Sequence, residues 1–155
     1  MGGDSAYIDG LKMLARRELS ESQVRQRLAR REHAPEDIDT AIERLKAERA
    51  LDDARVAGAI ARTQTSIRGR GRLRVRREIE ATGIAPAIAQ RAVDDLFQEI
   101  DADALLEAAL ARRLRGAATI ADDGEFRRLY RFLVAQGFDS GQVVAALRQR
   151  RARRT

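Results

Sequence analysis

The apolar positions of this chain recur with a period of about fifty residues. When Leu28, Ile79 and Leu133 are superimposed, two further positions of each copy also coincide. These positions hold His33, Ile84 and Phe138, and then Ile42, Val93 and Leu147. A period of this length is typical of tandem units that pack mainly against their neighbours in sequence. The pattern therefore predicts three repeats in an elongated array.

Within each copy, apolar residues follow helical spacing in three successive stretches. In the first copy, Val24 and Leu28 share one face of a helix, and Ile38, Ile42 and Leu45 share one face of the next. No useful stretch alternates with the period of two that a half-buried strand shows. We therefore predict an all-α fold of three tandem three-helix repeats. The predicted repeats are residues 1–50, 51–100 and 101–155.

Polar and glycine residues mark the predicted helix ends. Ser20, followed three residues later by Gln23, has the spacing of a capping box, which satisfies backbone amides at a helix start. Gly83 and Gly137 stand where the middle helices of the second and third copies should stop, because glycine readily adopts a left-handed backbone. These residues support the boundaries that the apolar spacing predicts.

The densest positive charge lies in the segment of residues 68–77, at the predicted start of a middle helix. Its arginines are Arg68, Arg70, Arg72, Arg74, Arg76 and Arg77. The intervening glycines would let backbone amides approach a phosphate closely, and Arg72 and Arg76, one turn apart, would point the same way. Binding to phosphates would release counterions and depend steeply on salt. The alternative is a solvated helix face that Glu78 and Glu80 balance.

Arginine also recurs on the middle helices of the other two copies, in a chain whose net charge is +6. These arginines are Arg25, Arg27, Arg30 and Arg31 in the first copy, and Arg127, Arg128 and Arg131 in the third. If equivalent faces align, they form a basic stripe that suits a helical polyanion or a repetitive acidic protein surface. The alternative is a coding bias towards arginine and alanine.

The residue types that catalysis needs are scarce. Cysteine is absent and His33 is the only histidine, so a metal site or a conventional nucleophile–base pair has almost no material. Neither Lys12 nor Lys46 follows a glycine, as the lysine of a phosphate-binding loop does. His33 stands at a turn position filled elsewhere by Ile84 and Phe138, which favours a structural role. We predict a protein that is not an enzyme and uses no cofactor or metal.

The chain shows no targeting or membrane signal. No apolar stretch approaches the roughly 20 residues that a membrane helix needs, and residues 1–4 lack the regions of a signal peptide. The absence of cysteine fits a reducing compartment. We therefore expect a cytoplasmic protein with no membrane partner.

Four segments form a combined signature over nearly the whole chain, and the second segment together with the third, at their separation, is its specific part. The four segments are Ala15–Ser20, Leu51–Arg55, Gly71–Ile84 and Gly137–Phe138. This combination resembles the RecX regulatory proteins of bacteria. The resemblance implies a curved array that binds the RecA recombinase filament on single-stranded DNA, along the helical groove of the filament. It also implies blocked extension or promoted disassembly, with lower ATP hydrolysis and strand exchange, in DNA repair, recombination and the SOS response.

Two turns depart from the Lys-Gly-Phe-like pattern of that family. Glu32 stands where the first copy would carry glycine and lacks glycine's ease at positive φ. Thr82 stands before Gly83 where the family pattern has a lysine, so this turn lacks one positive charge.

Three functions therefore stay open for this chain. The first, which the resemblance favours, is a monomeric RecA regulator without catalytic activity. Its predicted partner-binding residues are Arg25, Arg68, Arg70, Arg72, Arg74, Arg76, Arg77, Arg127, Arg128 and Arg131. The second is a helix-turn-helix regulator that reads duplex DNA, because a three-helix unit with a basic helix has that outline. The third is a helical scaffold for other proteins.

Overall fold

The computed structural model describes residues 2–117 and 119–151, and this part of the chain contains nine α-helices. They are α1 (Gly2–Arg16), α2 (Glu21–Arg30), α3 (Pro35–Ala47), α4 (Asp53–Ser66), α5 (Arg72–Glu80), α6 (Pro86–Glu99), α7 (Ala102–Leu114), α8 (Asp123–Ala135) and α9 (Ser140–Gln149). Extended pairing in the same residues is limited to an isolated parallel bridge between Ile120 and Arg151. The predicted all-α fold is confirmed.

The helices are arranged in two compact units. Among the described residues, unit 1 comprises 2–59 together with 79–92, and unit 2 comprises 60–78 together with 93–117 and 119–151. The boundaries between the units fall inside α4, α5 and α6. The division into repeats at 1–50, 51–100 and 101–155 stays a prediction.

The core of unit 1 is built from the apolar faces of its first three helices and from residues that connect them, such as Leu19 between α1 and α2. Its fully buried members include Leu19, Val24, Leu28, Ile42 and Leu45. α1 packs closely on α3, and Gly10 makes this possible because a Cβ at that position would lie 2.8 Å from Leu45 Cδ1. Burial of these side chains removes apolar surface from water and so stabilises the unit.

The predicted capping box at the start of α2 is confirmed. The Gln23 amide donates to Ser20 Oγ at 3.1 Å, and the Ser20 amide donates to Gln23 Oε1 at 3.0 Å. The fully buried Ser20 hydroxyl also donates to the Thr82 carbonyl. Ser20 therefore fixes both the start of α2 and the turn that follows α5.

The turns after the middle helices α2, α5 and α8 share a left-handed residue. Its φ is 64° at Glu32, 85° at Gly83 and 102° at Gly137. A Cβ on Gly83 would overlap Ser22, and a Cβ on Gly137 would overlap the backbone of Arg74. Glu32 is exposed, so its side chain meets no such obstacle. The first middle helix therefore stops where predicted although its turn lacks glycine.

The core of unit 2 lies between α7, α8 and α9. Its fully buried large side chains include Leu110, Ile120, Leu133 and Leu147. Asp101, Asp122 and Asp139 each accept a backbone amide at the start of one of these helices, which satisfies amides that have no partner within the helix. No described helix is long and apolar enough to cross a membrane.

Candidate partner-binding surface

The arginine segment, residues 68–77, is the loop after α4 together with most of α5. Its backbone amides donate to carbonyls of the protein itself: Gly69 to Thr65 at 3.1 Å, Arg70 to Gln64 at 3.0 Å, Gly71 to Gln136 at 2.8 Å and Leu73 to Gly137 at 3.1 Å. These four amides are therefore not free for a ligand. The expectation that the glycines expose amides to a phosphate is wrong.

Gly71 has a different role in this loop. A Cβ on Gly71 would lie 2.7 Å from both the Gly137 carbonyl carbon and the Phe138 nitrogen. The start of α5 and the turn after α8 therefore meet backbone to backbone, and the missing side chains allow the two hydrogen bonds from Gly71 and Leu73. Glycine here serves the packing of unit 2.

Two arginines of the segment, Arg70 and Arg74, turn inwards and hold the fold. Only 15% of the Arg70 side chain is exposed, and its Nη1 lies 2.6 Å from Gln64 Oε1 and 3.4 Å from Glu78 Oε1. Burial lowers the pKa of Arg70, and the charge of Arg74 acts in the same direction. Arg74 places Nε 3.5 Å from the same Glu78 oxygen and donates to the Ala135 carbonyl. Both residues are structural in this unit.

The other four arginines of the segment are exposed. Arg72 is held in place, since its Nη1 lies 2.5 Å from Asp94 Oδ1 and its guanidinium carbon lies 5.2 Å from the centre of the Phe97 ring. Arg68 lines a shallow depression of about 200 Å³ together with Arg112, Arg113 and Phe132. Arg76 and Arg77 continue the exposed face on α5. The structure thus brings Arg112 and Arg113 of α7, which the sequence did not single out, into this basic surface.

Two large apolar side chains lie exposed within or next to the arginine segment. Ile67 is 74% exposed and Leu73 is 51% exposed, the highest values among the large apolar residues that the structure describes. Sequence reasoning missed both, because an isolated apolar residue next to arginine gives no periodic signal. Exposed apolar side chains beside arginines are typical of protein interfaces.

The predicted arginines outside this segment differ in their environments. Arg127, Arg128 and Arg131 are exposed on α8, and none of them forms a salt bridge with another described residue. Arg25 belongs to unit 1, and its Nη1 lies 2.6 Å from Asp39 Oδ1. Arg25 is therefore already paired within the protein. A continuous stripe through all these arginines stays a prediction.

His33 lies in the turn after α2, as the repeat alignment predicts. Its Nε2 lies 2.7 Å from Asp9 Oδ2, and only 12% of its side chain is exposed. The hydrogen bond from His33 holds the pKa of Asp9 below its ordinary value, and the charges of Arg31 and Lys12 act in the same direction. The contact ties α1 to the turn, which is consistent with a structural role.

Two family models match the chain. The first three-helix domain of RecX matches residues 6–45, and the second three-helix domain of RecX matches residues 52–93. Together they cover more than half of the sequence. The chain belongs to the RecX family. The first model covers all of α2 and most of α1 and α3, and the second covers all of α4 and α5 and the first part of α6.

Curated RecX regulatory proteins are similar over most of their length. The protein from Halorhodospira halophila is 35% identical over 137 residues, which are 88% of this chain and 82% of the relative. The protein from Chromohalobacter salexigens is 36% identical over 139 residues, which are 90% of this chain and 88% of the relative. These proteins place the chain among the RecX regulatory proteins over nearly its full span.

Two solved RecX structures share the fold at low sequence identity. RecX from Lactobacillus salivarius matches with a TM-score of 0.75 at 18% identity, covering 96% of this chain and 97% of the other. A crystal structure of a regulatory protein RecX matches with a TM-score of 0.79 at 20% identity, covering 96% of this chain and 72% of the other. The three-helix architecture therefore persists although most side chains differ.

Proposed function

We propose that this RecX protein binds the RecA recombinase filament on single-stranded DNA and lowers its ATP hydrolysis and strand exchange. It acts as a cytoplasmic monomer without catalytic activity of its own. It lies in the filament groove, where it blocks extension or promotes disassembly. Membership of the RecX family supports the partner, and the exposed surface of unit 2 supports the site.

The observation that carries the proposal is the mixed character of the arginine segment. Phosphate binding alone would need only the exposed arginines, because phosphate contacts are electrostatic and sequence-independent. Ile67 and Leu73 add apolar area that a phosphate backbone does not use. A nucleoprotein filament offers both protein surface and phosphates, so this surface fits a filament better than bare DNA.

The arrangement of the side chains also favours a preorganised contact. Asp94 and Phe97 hold Arg72 in one orientation, and the backbone junction at Gly71 fixes the start of α5. Arginines that are already positioned lose less side-chain entropy on binding than free ones. Arg68 and Arg77 then supply charges that are not committed to a carboxylate of the described chain.

The test is the rate of ATP hydrolysis by RecA on single-stranded DNA with substoichiometric amounts of this protein. We expect strong inhibition by the native chain. The variant Arg68→Glu with Arg77→Glu should need about tenfold more protein, because each glutamate reverses a charge that faces the filament. The variant Ile67→Ser with Leu73→Ser should also need several times more protein, since it removes exposed apolar area only.

A matched control carries the same charge change elsewhere, Arg62→Glu with Arg148→Glu, and should inhibit like the native chain. If the Arg68→Glu, Arg77→Glu variant and the control variant lose inhibition equally, the net charge of the protein, and not the arginine segment, determines inhibition. No inhibition by the native chain, with tight sequence-selective binding to duplex DNA, would favour the helix-turn-helix regulator. No effect in either assay would favour the third function, a helical scaffold for other proteins.

A further inference from the structure

A second basic region lies in unit 1, far from the arginine segment in sequence. α1 and α2 contact each other, and the ends of both helices border a depression of about 540 Å³. The residues that line it are Lys12, Met13, Arg16, Arg17, Arg27, Arg30 and Arg31. Six of the seven are cationic and none is acidic. We call this feature the basic cavity.

Most of the positive charge in the basic cavity is not neutralised by the protein. Arg31 places Nη1 3.3 Å from Asp9 Oδ1, whereas the other five cations form no salt bridge with another described residue. Basic residues at helix C-terminal ends are favourable by themselves because of the helix dipole. That effect explains arginine in the last turn of α1 and of α2, but it does not require these side chains to share one cavity.

Among the residues that line the cavity, Met13 is the apolar one. Met13 is 7% exposed and belongs to the core of unit 1. Arginine side chains can cover apolar surface with their aliphatic stems while their charged ends stay in water. A volume of about 540 Å³ lies within the range of small-molecule sites, roughly 300–1,000 Å³. The cavity therefore has the size for a compact ligand.

Charge density decides which anion fits best. The cavity of about 540 Å³ brings together six cations, whereas one strand of a nucleic acid duplex brings only one phosphate charge per roughly 3.4 Å of its length. A triphosphate chain brings roughly four, because its terminal phosphate is almost doubly ionised at neutral pH. Arginine forks also bind phosphate oxygens bidentately.

We propose that the basic cavity binds a triphosphate chain, as a free polyphosphate or as part of a nucleoside triphosphate. The site goes beyond the proposed action on RecA, since it uses α1 and α2 and none of the arginine segment. Arg16, Arg27 and Arg30 bind the phosphates at the two helix ends, and Lys12 and Arg17 supply further positive charge.

The experiment is isothermal titration calorimetry of the full chain with inorganic tripolyphosphate and, separately, with ATP, in phosphate-free buffer. Both should bind with one ligand per chain and weaken steeply as salt rises. Equal affinities would show that the phosphates suffice, and tighter ATP binding would show a nucleotide site. The variant Arg16→Gln with Arg27→Gln and Arg30→Gln should bind at least tenfold more weakly.

The matched control is Arg62→Gln with Arg91→Gln and Arg148→Gln, which removes the same charge from other exposed positions and should keep its affinity within twofold. Lys12→Gln with Arg17→Gln should weaken binding severalfold and leaves the last turn of α2 untouched, in case the triple variant fails to fold. Equal losses in the cavity and control variants would overturn the proposal. So would binding of a single-stranded oligonucleotide at this cavity when tripolyphosphate does not bind.

Discussion

The two arginine-rich middle helices, α2 and α5, use their positive charge in opposite ways. In the arginine segment of unit 2, Arg70 and Arg74 share Glu78 and hold the fold, so the density of arginine in the sequence overstates the charge available to a partner. In unit 1, Arg27 and Arg30 face a cavity that no acidic residue lines. The environment of each guanidinium, and not the number of arginines in a row, decides what can be bound.

The largest expected effect is on stability, at Gly71, where the start of α5 packs backbone to backbone on the turn after α8. Gly71→Ala should lower the free energy of unfolding by about 2 kcal/mol, because overpacking against the backbone costs about 3 kcal/mol and the lost freedom of the unfolded chain returns somewhat less than 1 kcal/mol. The added Cβ would lie 2.7 Å from Gly137 and Phe138 backbone atoms. Urea denaturation followed by circular dichroism measures the change.

Gly116→Ala is the comparison variant for this prediction. It adds the same methyl group where no atom lies within 4 Å, at a φ of 88°, so it should cost about 1 kcal/mol through backbone strain alone. If Gly71→Ala is no more destabilising than Gly116→Ala, the backbone junction does not fix the segment.

Local features of the fold were predictable from the sequence. Ser20 and Gln23 form their capping box because both partners lie within one turn, and Gly83 and Gly137 take positive φ because the turn itself requires it. The grouping of Arg25 with Arg27, Arg30 and Arg31 was less accurate, since at 3.6 residues per turn Arg25 lies on roughly the opposite side of α2. Asp39 pairs with it there.

Features that depend on tertiary packing were not predictable. The depression beside Arg68 needs α7 to bring Arg112 and Arg113 near the loop after α4. The basic cavity needs the ends of α1 and α2 to meet. The inward direction of Arg70 needs Gln64 and Glu78 to approach the same guanidinium. No spacing rule along one helix contains this information.

The next prediction compares the stability effects of replacing Arg70, whose side chain turns inwards, and Arg68, whose side chain is exposed. Arg70→Ala should destabilise unit 2 by about 1 kcal/mol, because it removes the hydrogen bond to Gln64 and leaves Glu78 with fewer partners. Arg68→Ala should change stability by less than about 0.5 kcal/mol, as exposed substitutions usually do. The same urea measurement applies. Equal losses in the two variants would show that the inward and outward classes are not distinct.

The smallest effect concerns Asp9, the carboxylate that pairs with the rim of the basic cavity at Arg31. Asp9→Asn removes the charge that holds Arg31, so tripolyphosphate should bind about twofold more tightly, as expected for a partly exposed ion pair. His33 holds the pKa of Asp9 below its ordinary value. Asp9 therefore stays ionised through the neutral range, and its contribution to affinity should not vary with pH there.

The sign of the acid dependence follows from the same depressed pKa. A carboxyl whose pKa is lowered on folding stabilises the fold above its unfolded pKa, and this contribution is lost as the pH falls through the folded value. Asp9→Asn should therefore make the free energy of unfolding depend less on pH at acid pH. The same variant should bind tripolyphosphate more tightly at neutral pH. Weaker binding by Asp9→Asn would mean that Asp9 positions Arg31 for the ligand. The basic cavity would then depend on fixed guanidinium groups, as the arginine segment does, and the contrast between the two regions would be lost.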